Sequence, residues 1–322
     1  MSRNSRQYRS MPFHGLKRNG YFEGWYYKQV SSDEKTIICF IPGVSARDGT
    51  ASPFIQAILA RRIGDTWEQT TDWVDVPAFQ PREEPFSLHL GEAGFSRDGL
   101  SIVYPGERLR VEGELRFADM TAPPVSRWAP TIMGPFSYLS GMECIHGVIS
   151  LTHTLSGCLR INGEAVDFTG GKGYIEKDWG SSFPKRYVWL QSNHFSREGS
   201  LFFSWADIPA LGTTFQGYIA HLYYAGEHHR FATYTRGTCA LESTGREVSI
   251  LLTRGDKRLR ITASQTGGAE LVAPHRGQMI HTIKEGLFGR LSFHLETPGG
   301  TLSDQSSLAG IELVWEKGER QA

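Results

Sequence analysis

The sequence predicts an all-β protein, two similar antiparallel barrels or strongly curved sandwiches packed together, and three observations carry that reading. Polar and apolar residues alternate with period two along most of the chain, as in strands buried on one face. No apolar stripe of helical period outlasts about two turns. Glycine is abundant, at 36 residues, without a collagen-like period, which suits many short strands joined by tight turns. At 322 residues the chain exceeds what one core comfortably supports. Two domains are therefore expected, spanning 13–165 and 166–322.

Taken in order, Met1 to Gly15 is polar and holds several arginines with no apolar stretch behind them. It reads as a frayed end or leader, neither a secretory signal nor a membrane span. In Gly20–Val30 the parity of a strand puts Tyr21, Glu23, Trp25, Tyr27 and Gln29 on one face. A hairpin is expected to turn at Gly64 and Asp65, between Phe54–Ala60 and Trp67–Val76. Arg108–Phe117 alternates with Leu109, Val111, Gly113, Leu115 and Phe117 inward. From Ala118 to Gly141 the alternation lapses into a Pro- and Gly-rich stretch holding Trp128, Ile132, Met133 and Phe136, an ordered loop or lid. Alternation resumes over Ile145–Leu155.

The stretch Gly173–Phe195 reads as two extended segments joined at Gly180–Pro184. Tyr174, Glu176 and Asp178 share a face of the first, and Tyr187, Trp189, Gln191, Asn193 and Phe195 share a face of the second. Aromatics interleaved with amides suit a ligand wall better than an oily core. Further turns fall at Ala225–Glu227 and at Gly255–Asp256, the latter between Val248–Leu252 and Leu259–Ile261, and Leu291, Phe293 and Leu295 alternate with polar residues.

Composition excludes several functions. Lys plus Arg equals Asp plus Glu at 34 each, so nothing attracts the chain generally to nucleic acid or an anionic membrane. No apolar run has the length a bilayer demands, and a soluble cytoplasmic protein without a transmembrane segment is expected. The four cysteines are scattered without a Cys-x-x-Cys pair, against a disulfide framework or zinc site. Gly171-Lys172-Gly173 lacks the spacing of a phosphate loop, and no Gly-x-Ser-x-Gly elbow exists. His146 and His153 would face opposite sides of a strand, while His221, His228 and His229 form either a metal site or an exposed, partly protonated hairpin end.

Two carboxylate groups remain. Glu23 among aromatic neighbours is either a desolvated proton donor with a raised pKa or the partner of a basic residue at a barrel end. Glu176 and Asp178, about 7 Å apart on one strand face, are either a buried pair sharing a proton or a solvated edge paired with Lys177, Lys185 and Arg186.

Phe22-Glu23-Gly24-Trp25-Tyr26, Glu176-Lys177-Asp178-Trp179-Gly180, Phe183-Pro184-Lys185 and Trp189-x-Gln191-x-Asn193 together resemble tocopherol cyclase and its bacterial relatives. Ala273-Pro274, Glu285-Gly286-Leu287 and Ala309-Gly310-Ile311-Glu312-Leu313 are similar to that family's ending. The resemblance implies a pair of lipocalin-like barrels enclosing an apolar cavity. It also implies an intramolecular lyase or isomerase that closes a prenylated hydroquinone to a chromanol with no cofactor and no metal. Asp178 departs from the Asn typical of the plant enzymes, and Ser192 and His194 are more polar than the usual neighbours of Asn193.

On that footing Glu23 or Glu176, with Asp178, protonates an alkene. Trp25, Tyr27 and Trp189 face the resulting cation. Gln191 and Asn193 hold the quinol oxygens, with Tyr174 and Tyr187 beside them. The partner is a small apolar molecule, a prenylated quinol or terpenoid; the oligomeric state is left open. All these groups are expected to line one water-poor chamber. The alternatives are a lipocalin-like carrier of an apolar metabolite and a terpenoid hydratase or isomerase.

Overall fold

The computed structural model describes residues 10–16, 20–139, 142–210 and 213–315, and its regular structure is almost wholly β. The chain divides into two compact units, Met1–Phe183 with Val272–Thr282, and Pro184–Leu271 with Ile283–Ala322. The first holds β1 (Tyr21–Val30), β2 (Thr36–Arg47), β3 (Thr50–Ile63), β4 (Thr66–Asp75), β5 (Phe79–Arg82), β6 (Ser87–Leu90), β7 (Ala93–Ser96), β8 (Gly99–Pro105), β9 (Arg110–Thr121), β10 (Cys144–Ile161), β11 (Glu164–Asp167) and β12 (Lys172–Gly180). They form one antiparallel sheet in the order β4-β3-β2-β1-β12-β10-β9-β8-β7-β6-β5, with β11 beside β10. The sheet curls until β3 meets β6.

The second sheet holds β13 (Tyr187–Ser192), β14 (Gly199–Ala210), β15 (Thr213–Tyr224), β16 (Glu227–Ala232), β17 (Thr238–Thr244), β18 (Glu247–Arg254), β19 (Lys257–Ser264), β20 (Ala269–His275), β21 (Gln278–Thr297) and β22 (Gly300–Val314). Its order is β16-β15-β14-β13-β22-β21-β19-β18-β17, with β20 on β21, and β16 approaches β18 as the sheet curls. Both units are thus lipocalin-like curled antiparallel sheets, the predicted fold class.

Local sequence explains the elements. In β8 and β18 burial alternates residue by residue, one face in each core and the other in water. Between β18 and β19 the ladder ends at Arg254 opposite Lys257, leaving Gly255 and Asp256 as a two-residue turn with Gly255 at φ +56°. Glycine takes that left-handed backbone at little steric cost. The first core gathers Trp25, Tyr27, Phe40, Phe95, Ile102 and Leu159 among others, and the second Val188, Leu190, Phe203, Ile250, Phe293 and Ile311.

β1 is an exception to alternation, with nine of its ten residues buried. A strand dry on both faces reads as a near-continuous aromatic run, as Tyr-Phe-Glu-Gly-Trp-Tyr-Tyr does. The Pro- and Gly-rich loop after β9 is ordered as expected: it carries a short 3-10 helix at Gly134–Tyr138, with Ile132 and Met133 buried and Trp128 exposed.

Two features differ from the sequence reading. The units divide at Phe183/Pro184 and not near residue 165, because β12 pairs with both β1 and β10 and so stays in the first sheet. The Val272–Thr282 hairpin tip also returns to the first unit, where the Val272 amide donates to Gln56 Oε1 at 2.9 Å and the Gly277 amide to the Ser181 carbonyl at 2.7 Å. The expected frayed start is ordered where it is described, over residues 10–16, with Met11 and Phe13 packed on the first core. No disulfide joins the four cysteines, and no helix among the described residues is long and apolar enough to cross a membrane.

Candidate active site

Strand register assigns the candidate residues to faces. Glu23 lies opposite Trp179, Trp25 opposite Lys177 and Tyr27 opposite Ile175, on the face of β1 and β12 that looks into the first core. Gly24 lies opposite Asp178, Tyr26 opposite Glu176 and Lys28 opposite Tyr174, on the reverse face. Glu23 and Glu176 therefore do not share a chamber; the sheet separates them. Both faces are buried, since Tyr26, Lys28, Tyr174 and Glu176 are buried as well as Trp25 and Tyr27.

On the inner face Glu23 is fully buried and paired with Lys177 Nζ. Tyr21 Oη donates to its Oε2 at 2.7 Å, and the His14 amide and Nδ1 each lie 3.0 Å from its Oε1. Lys177 Nζ also donates to the Pro12 carbonyl at 2.5 Å and sits 4.4 Å from the Trp25 ring centre. His14 stacks on Trp179 at 4.3 Å, and Trp25 Nε1 donates to the Met11 carbonyl at 2.9 Å. Burial alone would raise the Glu23 carboxyl, but Lys177 and His14 outweigh it and hold it below the usual carboxylate range. Burial pushes Lys177 down to about 8 against the pull of Glu23, so the pair is charged at neutral pH. Lys177 is thus no surface partner of Glu176, and Glu23 is lowered where desolvation alone would have raised it. Tyr27 Oη donates to the Ser96 carbonyl at 2.9 Å.

On the reverse face Tyr174 Oη donates to Glu176 Oε2 at 2.6 Å. β10 brings His146 opposite Asp178. Its Nδ1 lies 2.6 Å from Asp178 Oδ1, its Nε2 lies 3.2 Å from Glu176 Oε2, and its amide donates to Met133 Sδ in the Pro- and Gly-rich loop at 3.0 Å. Burial would lower the His146 pKa, but Asp178 and then Glu176 push it up to about 10, so the ring is an imidazolium at neutral pH. Burial, followed by Glu176, keeps the Tyr174 phenol protonated. Cys144 Sγ closes the cluster 3.6 Å from Asp178, its thiol raised by burial first and Asp178 second. The donor atoms of His146, Glu176 and Asp178 lie within 4.8 Å of one another. A metal-binding imidazole must offer a bare nitrogen; here a carboxylate faces each ring nitrogen, an arrangement suited to holding a proton.

In the second unit Val188 and Leu190 enter the core, which puts Tyr187, Trp189 and Gln191 on the opposite face of β13, also buried. Asn193 follows just past the strand and is buried too. Tyr187 Oη donates to Glu312 Oε2 at 2.5 Å, and Trp189 lies opposite Glu312, which in turn lies opposite the fully buried Glu285. A side chain at Gly310 would meet the Trp189 indole at 2.7 Å, so that glycine makes room for the ring. His221 is buried and neutral, pushed to about 3 by burial and Arg230, with Nε2 3.0 Å from His228 Nδ1. It is not the exposed, protonated hairpin end its position suggested.

The sequence pattern described as tocopherol cyclase-like matches residues 111–314. The chain belongs to that family. The matched span of this tocopherol cyclase-like protein contains the His146–Glu176–Asp178 cluster and the Trp189 face, and leaves Glu23 outside it. A rice protein (Oryza sativa subsp. japonica) named probable tocopherol cyclase, chloroplastic, is 29% identical over 153 residues, 44% of this chain and 32% of the rice protein's length. Among solved structures, CghA with Sch210972 superposes with a TM-score of 0.56 at 10% identity, covering 93% of this chain and 90% of CghA. Kievitone hydratase from Nectria haematococca gives 0.51 at 14%, covering 92% and 89%. At such identities the likeness is of fold.

Reading the tocopherol cyclase-like sequence alone passed over His14, His146, Lys177, Glu285 and Glu312 as members of these networks. His146 had a signal, since it lies in the alternating run Ile145–Leu155 beside the loop, but its partner Asp178 stands 32 residues away. His14 had none.

Proposed function

We propose that this protein is an acid–base enzyme of the tocopherol cyclase type, acting on a small apolar unsaturated molecule that carries a hydroxyl, such as a prenylated quinol. The observation that carries this reading is the imidazolium of His146 held between Glu176 and Asp178, with the Tyr174 phenol on Glu176. Ring closure delivers one proton to an alkene carbon and removes one from a phenolic oxygen, so a site that both gives and takes protons turns over without net change. A cluster of two carboxylates, one imidazolium and one phenol has that capacity. Asp178 and Glu176 keep the His146 ring protonated, so a proton is held beside Glu176.

Glu176, hydrogen-bonded by Tyr174 and facing His146, is assigned as the group that passes the proton to carbon. Asp178, half-buried, fixes the imidazolium. Glu23 is assigned a structural role, as counter-ion to Lys177. In the second unit the Tyr187–Trp189–Gln191 face, with Asn193, is proposed as a wall that contacts apolar ligand. Family membership supports the reaction type, and the neighbour named a hydratase supports water as a second nucleophile in this fold. One positioned acid supplies roughly 10²- to 10⁴-fold, and holding the prenyl chain over the ring supplies much of the remainder as pre-set orientation.

The test is turnover of a prenyl hydroquinone in deuterated water. One deuterium should enter a chromanol product, and Glu176→Gln should slow the reaction by about 10²-fold or more with substrate affinity kept. Full activity in Glu176→Gln removes the cluster from the chemistry, and unaltered substrate across several quinols removes the cyclisation.

A further inference from the structure

The interior of the first unit holds polar groups that the proton cluster does not use. Gln29 and His153 are almost fully buried, and among the described residues both amide atoms of Gln29, His153 Nε2 and the Tyr104 hydroxyl have no hydrogen-bonding partner. Groups buried in this state destabilise a fold unless something satisfies them. The hydrogen bonds of Ser150 fix the tautomer of His153: Ser150 Oγ donates to the Thr152 carbonyl at 3.1 Å, so at 2.8 Å it accepts from His153 Nδ1. Nε2 is left as a bare lone pair. Burial keeps the ring neutral, its pKa pushed down to about 3.

Gly173 faces both residues, Gln29 on β1 and His153 on β10. A Cβ there would lie 2.1 Å from His153 Nε2 and 2.5 Å from Gln29 Oε1, so the two acceptors converge on one point above the glycine. No left-handed backbone requires glycine at this position; the missing side chain is what lets the ends of Gln29 and His153 lie side by side over the strand. Turning the Gln29 amide over would give His153 a donor and still leave Oε1 without one. In either orientation an acceptor is left for which the described residues supply no donor. Phe117 lies 4.4 Å from the His153 ring and 6.3 Å from Tyr27, which is 5.3 Å from Phe95.

We propose that Gln29, His153 and Gly173 form a binding site, inside the first unit, for the hydroxyl of a small neutral phenol or alcohol. Its O–H donates to His153 Nε2 or Gln29 Oε1, and its apolar body lies against Phe117, Tyr27 and Phe95. The desolvation that keeps His153 uncharged disfavours a charged ligand equally. His146 and His153 occupy opposite faces of β10, so this site is independent of the proposed chemistry.

The full-length protein carrying 15N-histidine is titrated with phenol and, separately, with methoxybenzene, which keeps the ring and lacks the donor. Phenol should move the His153 Nε2 resonance saturably while methoxybenzene leaves it in place, and Gln29→Leu should weaken phenol binding about tenfold. Equal responses to the two probes would reduce the site to apolar packing. An Nε2 resonance already hydrogen-bonded before titration and unmoved by phenol would mean that water alone fills it. Either outcome overturns the proposal. Loss of the cyclisation activity would leave it standing, because the titration reads binding on the other face of the strand.

Discussion

A single step along a strand separates Glu176 from Lys177, and it decides their chemistry. Lys177 looks into the first core and neutralises Glu23, while Glu176 looks the other way and meets His146. Removing one charge from a buried pair leaves the other without compensation. Glu23→Gln should therefore cost about 3–5 kcal/mol in urea denaturation, and adding Lys177→Met should recover most of it. Asp178 is the larger support of the His146 imidazolium. Asp178→Asn should move the His146 titration midpoint, read by NMR, from about 10 back towards the ordinary histidine value. Parity along β12 was legible from the sequence and correctly grouped Tyr174 with Glu176 and Asp178. Which face Glu23 would share with them was not, because that depends on the β1–β12 register, set between segments some 150 residues apart.

Among the elements, the N-terminal segment and the β1–β12–β10 wall depend on each other. Residues 10–16 have no periodicity to announce a strand or helix, and they are held by groups distant in sequence: Lys177 on the Pro12 carbonyl, Trp25 on the Met11 carbonyl, Trp179 under the His14 ring. That explains why a polar, Arg-rich start read as a loose end. Phe13 packs 5.0 Å from Phe79 and is half-buried, so Phe13→Ala should cost about 2 kcal/mol, less than the ~3–5 of a fully buried ring. The same variant should speed hydrogen exchange at the Trp25 indole N–H, whose acceptor lies two residues before Phe13. The hairpins, by contrast, were legible from turn chemistry: Gly64-Asp65 and Gly255-Asp256 each stand between alternating runs, and each closes a ladder.

Over the whole molecule the titrating groups set a stability optimum. His153 and His221 are each pushed down to about 3 by burial, so unfolding takes up protons as pH falls from about 6.5, and stability drops on the acid side. Glu23, lowered in the fold, adds to that loss as it protonates. His146 behaves oppositely: raised to about 10, its contribution is complete below about 6.5 and is lost as pH climbs through 10. Lys177, lowered to about 8, opposes that alkaline loss. Melting temperatures measured across this range should fall on both sides of neutrality, and His146→Gln should flatten the alkaline limb while sparing the acid one. The two-barrel class was legible because period-two patterning survives any error in register. The point of division was not, since the joint at Gly180–Pro184 reads like any other turn between two strands.

The first unit is completed by eleven residues, Val272–Thr282, that arrive only after the chain has built most of the second. A gene fragment ending at residue 183 would encode a barrel lacking the segment that bonds to Gln56, Ser181 and Ser182. Transplanting either half into another scaffold would break this stitch. A cut at residue 183 therefore parts the first unit from a segment of itself.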